Sequence, residues 1–188
     1  MKKIIISLLA SQLFFISLLA QNTTFPPIDK SPMDMCYYPV NYPIQKIQDK
    51  ITESLVCRVI YSRPQKGGRT IFPGLVEYGK VWRLGANEAT EIEFFKHVRI
   101  GDKKIKMGRY TLYAICNDKT WTIILNKDID IWGAFKYDAN KDVIRVDVPV
   151  QKTDSLVEAL AMTFEKTATG INLVVAWENT KVALPINY

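Results

Sequence analysis

Three arginines, Arg63, Arg69 and Arg83, fall within residues 61–90, among several glycines, Pro64, Pro73, Trp82, Asn87 and Glu88. Each guanidinium is a planar fork of donors suited to a carboxylate, sulfate or phosphate. Asn87 and Glu88 add an amide and an acceptor that could read hydroxyls. Trp82 and Trp132 supply flat apolar surface of the kind that stacks on sugar rings or guanidinium groups. The candidate ligand-binding set is therefore Arg63, Arg69, Arg83, Asn87, Glu88, Trp132 and Asp142. The same residues also have a purely architectural use. Arg63 and Arg83 could pair with Glu77, Glu88 or Asp142 and pin a long loop to the domain, with the tryptophans filling the core. Both uses stay open at this level.

Catalytic constellations are weaker. His97 is the only histidine and lies in an alternating run without a serine or cysteine nucleophile signature, so a histidine-based triad has little support. One histidine and unclustered cysteines give no zinc site, and no other metal or cofactor is expected. The stretch Asn126-Lys127-Asp128-Ile129-Asp130 lacks the glycine and closing glutamate of a calcium loop and reads as a turn. No phosphate-cradling P-loop or dinucleotide fingerprint is present. Glu88, Asp138 and Asp142 could converge as paired carboxylates, which keeps an envelope hydrolase using Glu88 or Asp142 as the alternative.

These residues need elements to hold them. Two glycines and the fixed φ of Pro64 between Arg63 and Arg69 mark a shaped loop leaving one strand and feeding a second that carries Arg83. Around it the hydrophobic period is two. Leu55, Cys57, Val59 and Tyr61 share one face, and residues 91–100 form a further strand. Tyr110, Leu112, Ala114 and Cys116 lie opposite Thr111 and Tyr113. Trp121, Ile123 and Leu125 alternate, as do Ile144, Val146 and Val148, and Ile171, Leu173, Val175 and Trp177. Turn signals separate the runs, among them Gly101-Asp102, Asn117-Asp118 and Thr169-Gly170. Residues 154–166 carry helical spacing as well, but Leu160, Met162 and Phe164 alternate and favour a strand. Many short strands without intervening helices predict an all-β fold: a single antiparallel β-sandwich, jelly-roll-like or barrel-like, with a long loop containing glycine and arginine.

The 188 residues suit one domain, and an apolar share of 48% can build a core. Residues 1–20 read as a signal peptide: Lys2 and Lys3 precede an apolar run of about 16 residues, shorter than the roughly 20 needed to span a bilayer, and Ala20 offers a cleavage point. After cleavage no transmembrane span is expected, and the protein is placed in the periplasm, outside the cell or at the outer membrane. The net charge of +6 drops to +4 without Lys2 and Lys3, and the lysines are scattered in sequence, so nucleic acid is not an expected partner. Cys57 and Cys116 sit in strands as small buried residues, whereas Cys36 is the more exposed thiol. Residues 21–50 form an extended lead-in rich in proline and tyrosine, and 51–188 the sandwich.

A specific likeness covers nearly all of the chain after the leader. The runs Tyr61-Ser62-Arg63-Pro64, Gly68-Arg69 and Gly79-Lys80-Val81-Trp82-Arg83-Leu84-Gly85-Ala86-Asn87-Glu88-Ala89-Thr90 are followed by Gly108-Arg109-Tyr110-Thr111-Leu112-Tyr113, Asn126-Lys127-Asp128, Trp132-Gly133 and Trp177-Glu178. Together they resemble a DUF2911-like family of uncharacterised secreted bacteroidete proteins. Ser31-Pro32-Met33-Asp34 and Tyr37-Tyr38-Pro39 match one branch of it. Arg109 replaces the small or hydroxyl residue expected between Gly108 and Tyr110. The resemblance implies export and a β-rich domain, and it brings no catalytic residues. The resulting expectation is an exported cell-envelope binding or interaction module with an arginine-containing site for a small anionic or carbohydrate ligand.

Overall fold

Alternation puts every second side chain of a strand on one face, and those faces meet in a two-layer core. The computed structural model describes residues 24–188, so the leader expected at 1–20 lies outside the described residues. The strands are β1 (Met33–Tyr38), β2 (Cys57–Ser62), β3 (Val81–Trp82), β4 (Glu91–Phe94), β5 (Val98–Ile100), β6 (Lys103–Ile105), β7 (Gly108–Ile115), β8 (Thr120–Asn126), β9 (Asp142–Pro149), β10 (Gln151–Lys166) and β11 (Gly170–Asn187). The described residues include one α-helix, α1 (Tyr42–Ile47).

All pairings are antiparallel. A seven-stranded sheet runs β1-β2-β4-β7-β8-β9, with β3 also on β7, and a four-stranded sheet runs β10-β11-β5-β6. Neither closes on itself, so the fold is an all-β sandwich with open sheets and not a barrel. Cys57, Val59 and Tyr61 of β2 and Trp121, Ile123 and Leu125 of β8 point inward to meet Leu160, Phe164, Leu173, Val175 and Trp177 from the other layer. Within this core Phe72, Trp82, Trp121 and Trp177 form one aromatic knot, with centroid separations from 5.0 to 6.3 Å. Trp82 and Trp177 stack at 6.0 Å and 18°.

The outer face of the seven-stranded sheet is covered too. The β8–β9 connection folds back over it and buries Tyr113 and Ile124 with Ala89 under Ile131, Ala134 and Tyr137. Arg109 holds this cover down by donating to Glu91 and Asp130, each at 2.6 Å. The residue that departs from the expected pattern thus has a structural use at an exposed site.

Three elements differ from the sequence expectation. The lead-in is extended at β1, which joins the sheet edge, but Tyr42–Ile47 is helical because Pro43 occupies the first turn, where its missing N–H is not needed. Residues 91–100 form two strands in different sheets rather than one. The last strand runs past Glu178 to Asn187 and bends there, with Glu178 at φ 57°. The two ends of β11 consequently meet. Thr169 Oγ1 donates to Asn187 Oδ1 at 2.9 Å, and Gly170 lies so close to the backbone of Ile186 and Asn187 that no Cβ would fit. Residues 154–166 belong to β10, as their alternation indicates.

Candidate functional site

The loop between β3 and β4 is held both by its own hydrogen bonds and by bonds to its neighbours. Trp82 Nε1 donates to Gly85 O (3.1 Å), and the buried Thr90 hydroxyl donates to Leu84 O (2.7 Å). Leu84 and Asn87 adopt left-handed conformations, with φ 55° and 57°. Asparagine tolerates this backbone better than most residues. The Asn87 carbonyl accepts from Gly133 N–H at 2.8 Å, and Ala89 N–H donates to Ile131 O at 2.8 Å, which ties the loop to the β8–β9 cover. Gly85 sits against Ser62 and Thr90, and the Ser62 hydroxyl donates to Ala86 O.

Within this run Arg83 stands apart. Its guanidinium is half-buried, forms no ion pair or side-chain hydrogen bond with any described residue, and has a fully buried Nε without a partner. Burial alone pulls it below the ordinary arginine value. It stands at the junction of two recesses. One, of about 210 Å³, is bounded by Arg69, Trp82, Ala86, Trp177 and, from the lead-in, Ser31. The other, of about 260 Å³, is bounded by Glu77, Lys80, Val81, Ala134 and Phe135. Leu75, Val76, Trp82 and Arg83 line both, so the two form one trough past the guanidinium.

A family model described as Protein of unknown function (DUF2911) matches residues 42–186. The chain belongs to this family. No curated protein and no solved structure matches it. The DUF2911 match takes in all seven candidate residues and every side chain of the trough except Ser31; β1 lies outside it.

The structure divides those seven within the DUF2911 fold. Arg69 and Arg83 border the trough together. Arg69 also spans its own loop, donating to Lys66 O (2.9 Å) and Gln65 O. That loop is tied to β10 by Lys66 N–H to Glu158 O (2.7 Å) and Gly67 N–H to Glu158 Oε1 (2.7 Å). Arg63 is a brace: it donates to Leu160 O (3.1 Å) and pairs with Asp34 (3.0 Å), linking β1 to β10.

Asp142 is fully engaged elsewhere. It accepts from Asn126 Nδ2 (2.8 Å), Tyr137 Oη (2.6 Å) and Arg145 Nε (2.8 Å), under the loop that covers Tyr113. Burial and this carboxylate push the Tyr137 phenol up to about 12. Glu88 is exposed and borders a different recess, with Met33, Glu91, Arg109 and Asp130. Asn87 contributes its backbone. Trp132 is a surface residue, 62% exposed and stacked on Phe135 at 5.8 Å, and Phe135 forms the far wall of the trough. Sequence reasoning missed Lys80, Phe135 and the Tyr137–Arg145 partners of Asp142. Lys80 was legible as a cation three residues before Arg83; the others depend on how the cover folds.

The trough presents Arg69, Arg83 and Lys80 in front of the buried Trp82–Trp177 stack, with Glu77 the lone carboxylate side chain on its walls. Such a surface suits binding of a negatively charged group more than proton transfer. Among the described residues no cluster of His, Cys, Asp and Glu could hold a metal ion.

Proposed function

We propose that this protein is an exported binding module of the cell envelope whose trough at Arg83 takes an anionic or carbohydrate ligand. The observation that carries the reading is the half-buried Arg83 guanidinium without a partner. Removing a charge from water is costly unless a counter-group replaces the lost hydration. The loop around Arg83 satisfies its own polar groups while leaving this one unpaired. A bound carboxylate or sulfate would supply the missing acceptors, and Arg69 and Lys80 would add charge on either side.

The hydrolase alternative has less support. Asp142 is spent on three donors, and Glu88 faces solvent outside the trough. Neither is a carboxylate desolvated beside an open arginine, which is the arrangement acid–base chemistry there would require.

The test is a screen of uronic acids, sulfated glycans and small carboxylates, followed by calorimetry on variants. Arg83→Ala is expected to weaken any hit by roughly 10- to 100-fold, the worth of one charge-assisted hydrogen bond, while melting near the parent. Asp142→Asn is the contrasting variant. It should lower stability by about 1–3 kcal/mol, because donors lose their acceptor, and leave affinity unchanged. A hit whose affinity ignores both Arg83→Ala and Arg69→Ala would place binding elsewhere. For the export half of the proposal, the intact mass of envelope-purified protein should correspond to a chain beginning near Gln21. Retention of residues 1–20 would overturn cleavage.

A further inference from the structure

The β5–β6 hairpin concentrates charge that looks scattered in the sequence. Residues 96–106 contain Lys96, Arg99, Lys103, Lys104 and Lys106 against Asp102 alone. Register aligns part of this set. Arg99 is paired directly with Lys104 on one side and with Asn187 of β11 on the other. The three side chains therefore form a row across adjacent strands about 4.8 Å apart. Val98 and Ile100 point into the core, so Arg99 projects from the outer face of the sheet. Like charges directly opposite one another destabilise an antiparallel pair. Neither Arg99 nor Lys104 lies within ion-pair distance of a carboxylate among the described residues.

Both cations line a recess of about 340 Å³ whose other polar walls are His97, Thr169, Asn187 and Tyr188, the Tyr188 phenol donating outward to Glu53 Oε1 at 2.6 Å. Two of these walls, His97 and Asn187, keep free donors. His97 Nδ1 accepts from Met107 N–H (3.0 Å), leaving Nε2–H as the free donor of the ring. Asn187 Oδ1 accepts from the Thr169 hydroxyl (2.9 Å), leaving its amide N–H groups free. Arg99 spends one Nη1 bond on Asp102 O (3.0 Å) and keeps the rest of its fork. No carboxylate side chain lines the recess. Lysines on an edge strand also deter pairing with other chains. That explains charge on β6; it does not explain Arg99, which lies on the inner strand β5.

We propose that this recess is a second anion site, distinct from the trough at Arg83, and that it binds a phosphate group carried on a larger polar molecule. A phosphate ester brings negative charge and several acceptor oxygens, matching the two cations of β5 and β6 with the His97 imidazole and the Asn187 amide of β11. The recess is larger than a bare ion, and the Thr169–Asn187 pair offers the wall against which a sugar or glycerol moiety would rest. Binding would relieve the Arg99–Lys104 repulsion.

The proposal is tested by titration calorimetry at low salt with glucose 6-phosphate, glucose and inorganic phosphate, and by co-sedimentation with phosphatidylcholine vesicles with and without phosphatidylglycerol. Glucose 6-phosphate should bind and glucose should not. Arg99→Gln and Lys104→Gln should each weaken that binding at least about 10-fold, whereas Lys106→Gln, on the same hairpin but outside the recess, should change it little. Without phosphate, Arg99→Gln and Lys104→Gln should melt no lower than the parent, because each removes half of a repulsive pair. Binding confined to phosphatidylglycerol vesicles, with the same dependence on Arg99 and Lys104, identifies the phosphate as a lipid headgroup; binding of the soluble ester identifies it as a free metabolite. Equal losses in all three variants would reduce the effect to net charge, and no binding of any phosphate probe would overturn the site. Arg83→Ala should leave these titrations unchanged, which separates this proposal from the one made for the trough.

Discussion

Stability is expected to fall steeply as the pH rises from about 8.5 towards 11, the range in which thiols of the unfolded chain ionise. Burial pushes Cys36 up to about 12, with Asp34 adding to the effect. Cys57 and Cys116, both fully buried and free, are pushed higher still, again by burial. A group whose folded value is raised contributes its full stability below the unfolded value and loses it as the pH climbs through the folded one. Each thiol then removes about 1.4 kcal/mol per pH unit, and the three together about 4, against a total of roughly 5–15 for an ordinary domain. Above about pH 10 the phenols of Tyr61, Tyr113 and Tyr137, raised mainly by burial, steepen the loss. Urea unfolding under reducing conditions, repeated from about pH 8 to 10.5, measures the slope. Cys116→Ala should remove about a third of it below pH 10, whatever it does to stability at neutral pH. A stability independent of pH over this range would show that the thiols titrate normally.

Trp177→Ala should cost about 3–5 kcal/mol, the usual penalty for deleting a buried indole. Trp177 is fully buried, stacks on Trp82, meets Phe72 edge-on at 6.3 Å, and donates from Nε1 to Glu158 O at 3.2 Å. Its removal opens the centre of the aromatic knot and leaves the Glu158 carbonyl without that donor. For a chain of this length the melting temperature should drop on the order of 10 °C. Trp177→Phe, which keeps most of the ring contact but not the N–H, should recover more than half of the loss. A Trp177→Ala melting point within about 3 °C of the parent would mean that the knot closes around the gap. Because Trp177 also backs the trough at Arg83, the alanine variant should reshape the trough and weaken ligand binding as well.

The sequence carried most of the sandwich and less of the site. Alternation identified strands wherever one face is apolar, including residues 154–166, where Leu160, Met162 and Phe164 decided against a helix. It failed at residues 91–100 for a physical reason. Ile92, Phe94, Val98 and Ile100 keep the same parity and are all buried, so the pattern is unbroken although the chain changes sheets between them. Parity reports which face is apolar, never which layer it faces. The β8–β9 cover escaped as well. Asn126 to Asp130 reads as a turn, and nothing local shows that the following residues return to bury Tyr113.

The candidate site followed the same division. The composition of residues 61–90 located the arginines, but their partners lie far away in sequence. Asp34 is 29 residues from Arg63, and the carbonyl of Leu160 is 97 away. Only the fold reveals that Arg63 is committed, that Arg69 closes its own loop, and that Arg83 is left without a partner. Arg99 and Lys104 become neighbours by strand register, which charge counting along the chain does not register.

The position of β10 and β11 also governs the order in which the protein can be made. These two strands supply Leu160, Phe164, Leu173, Val175, Trp177 and Leu184, much of the layer that faces the seven-stranded sheet, and they follow every strand of that sheet along the chain. Until they emerge, Trp82, Trp121, Ile123 and Leu125 have no opposite wall, and the nascent chain presents a broad apolar face together with unpaired strand edges. The domain therefore cannot mature from its N-terminal end in stages. Its two layers can close on each other only once both strands are present, with the ends of β11 brought together at Thr169, Gly170 and Asn187.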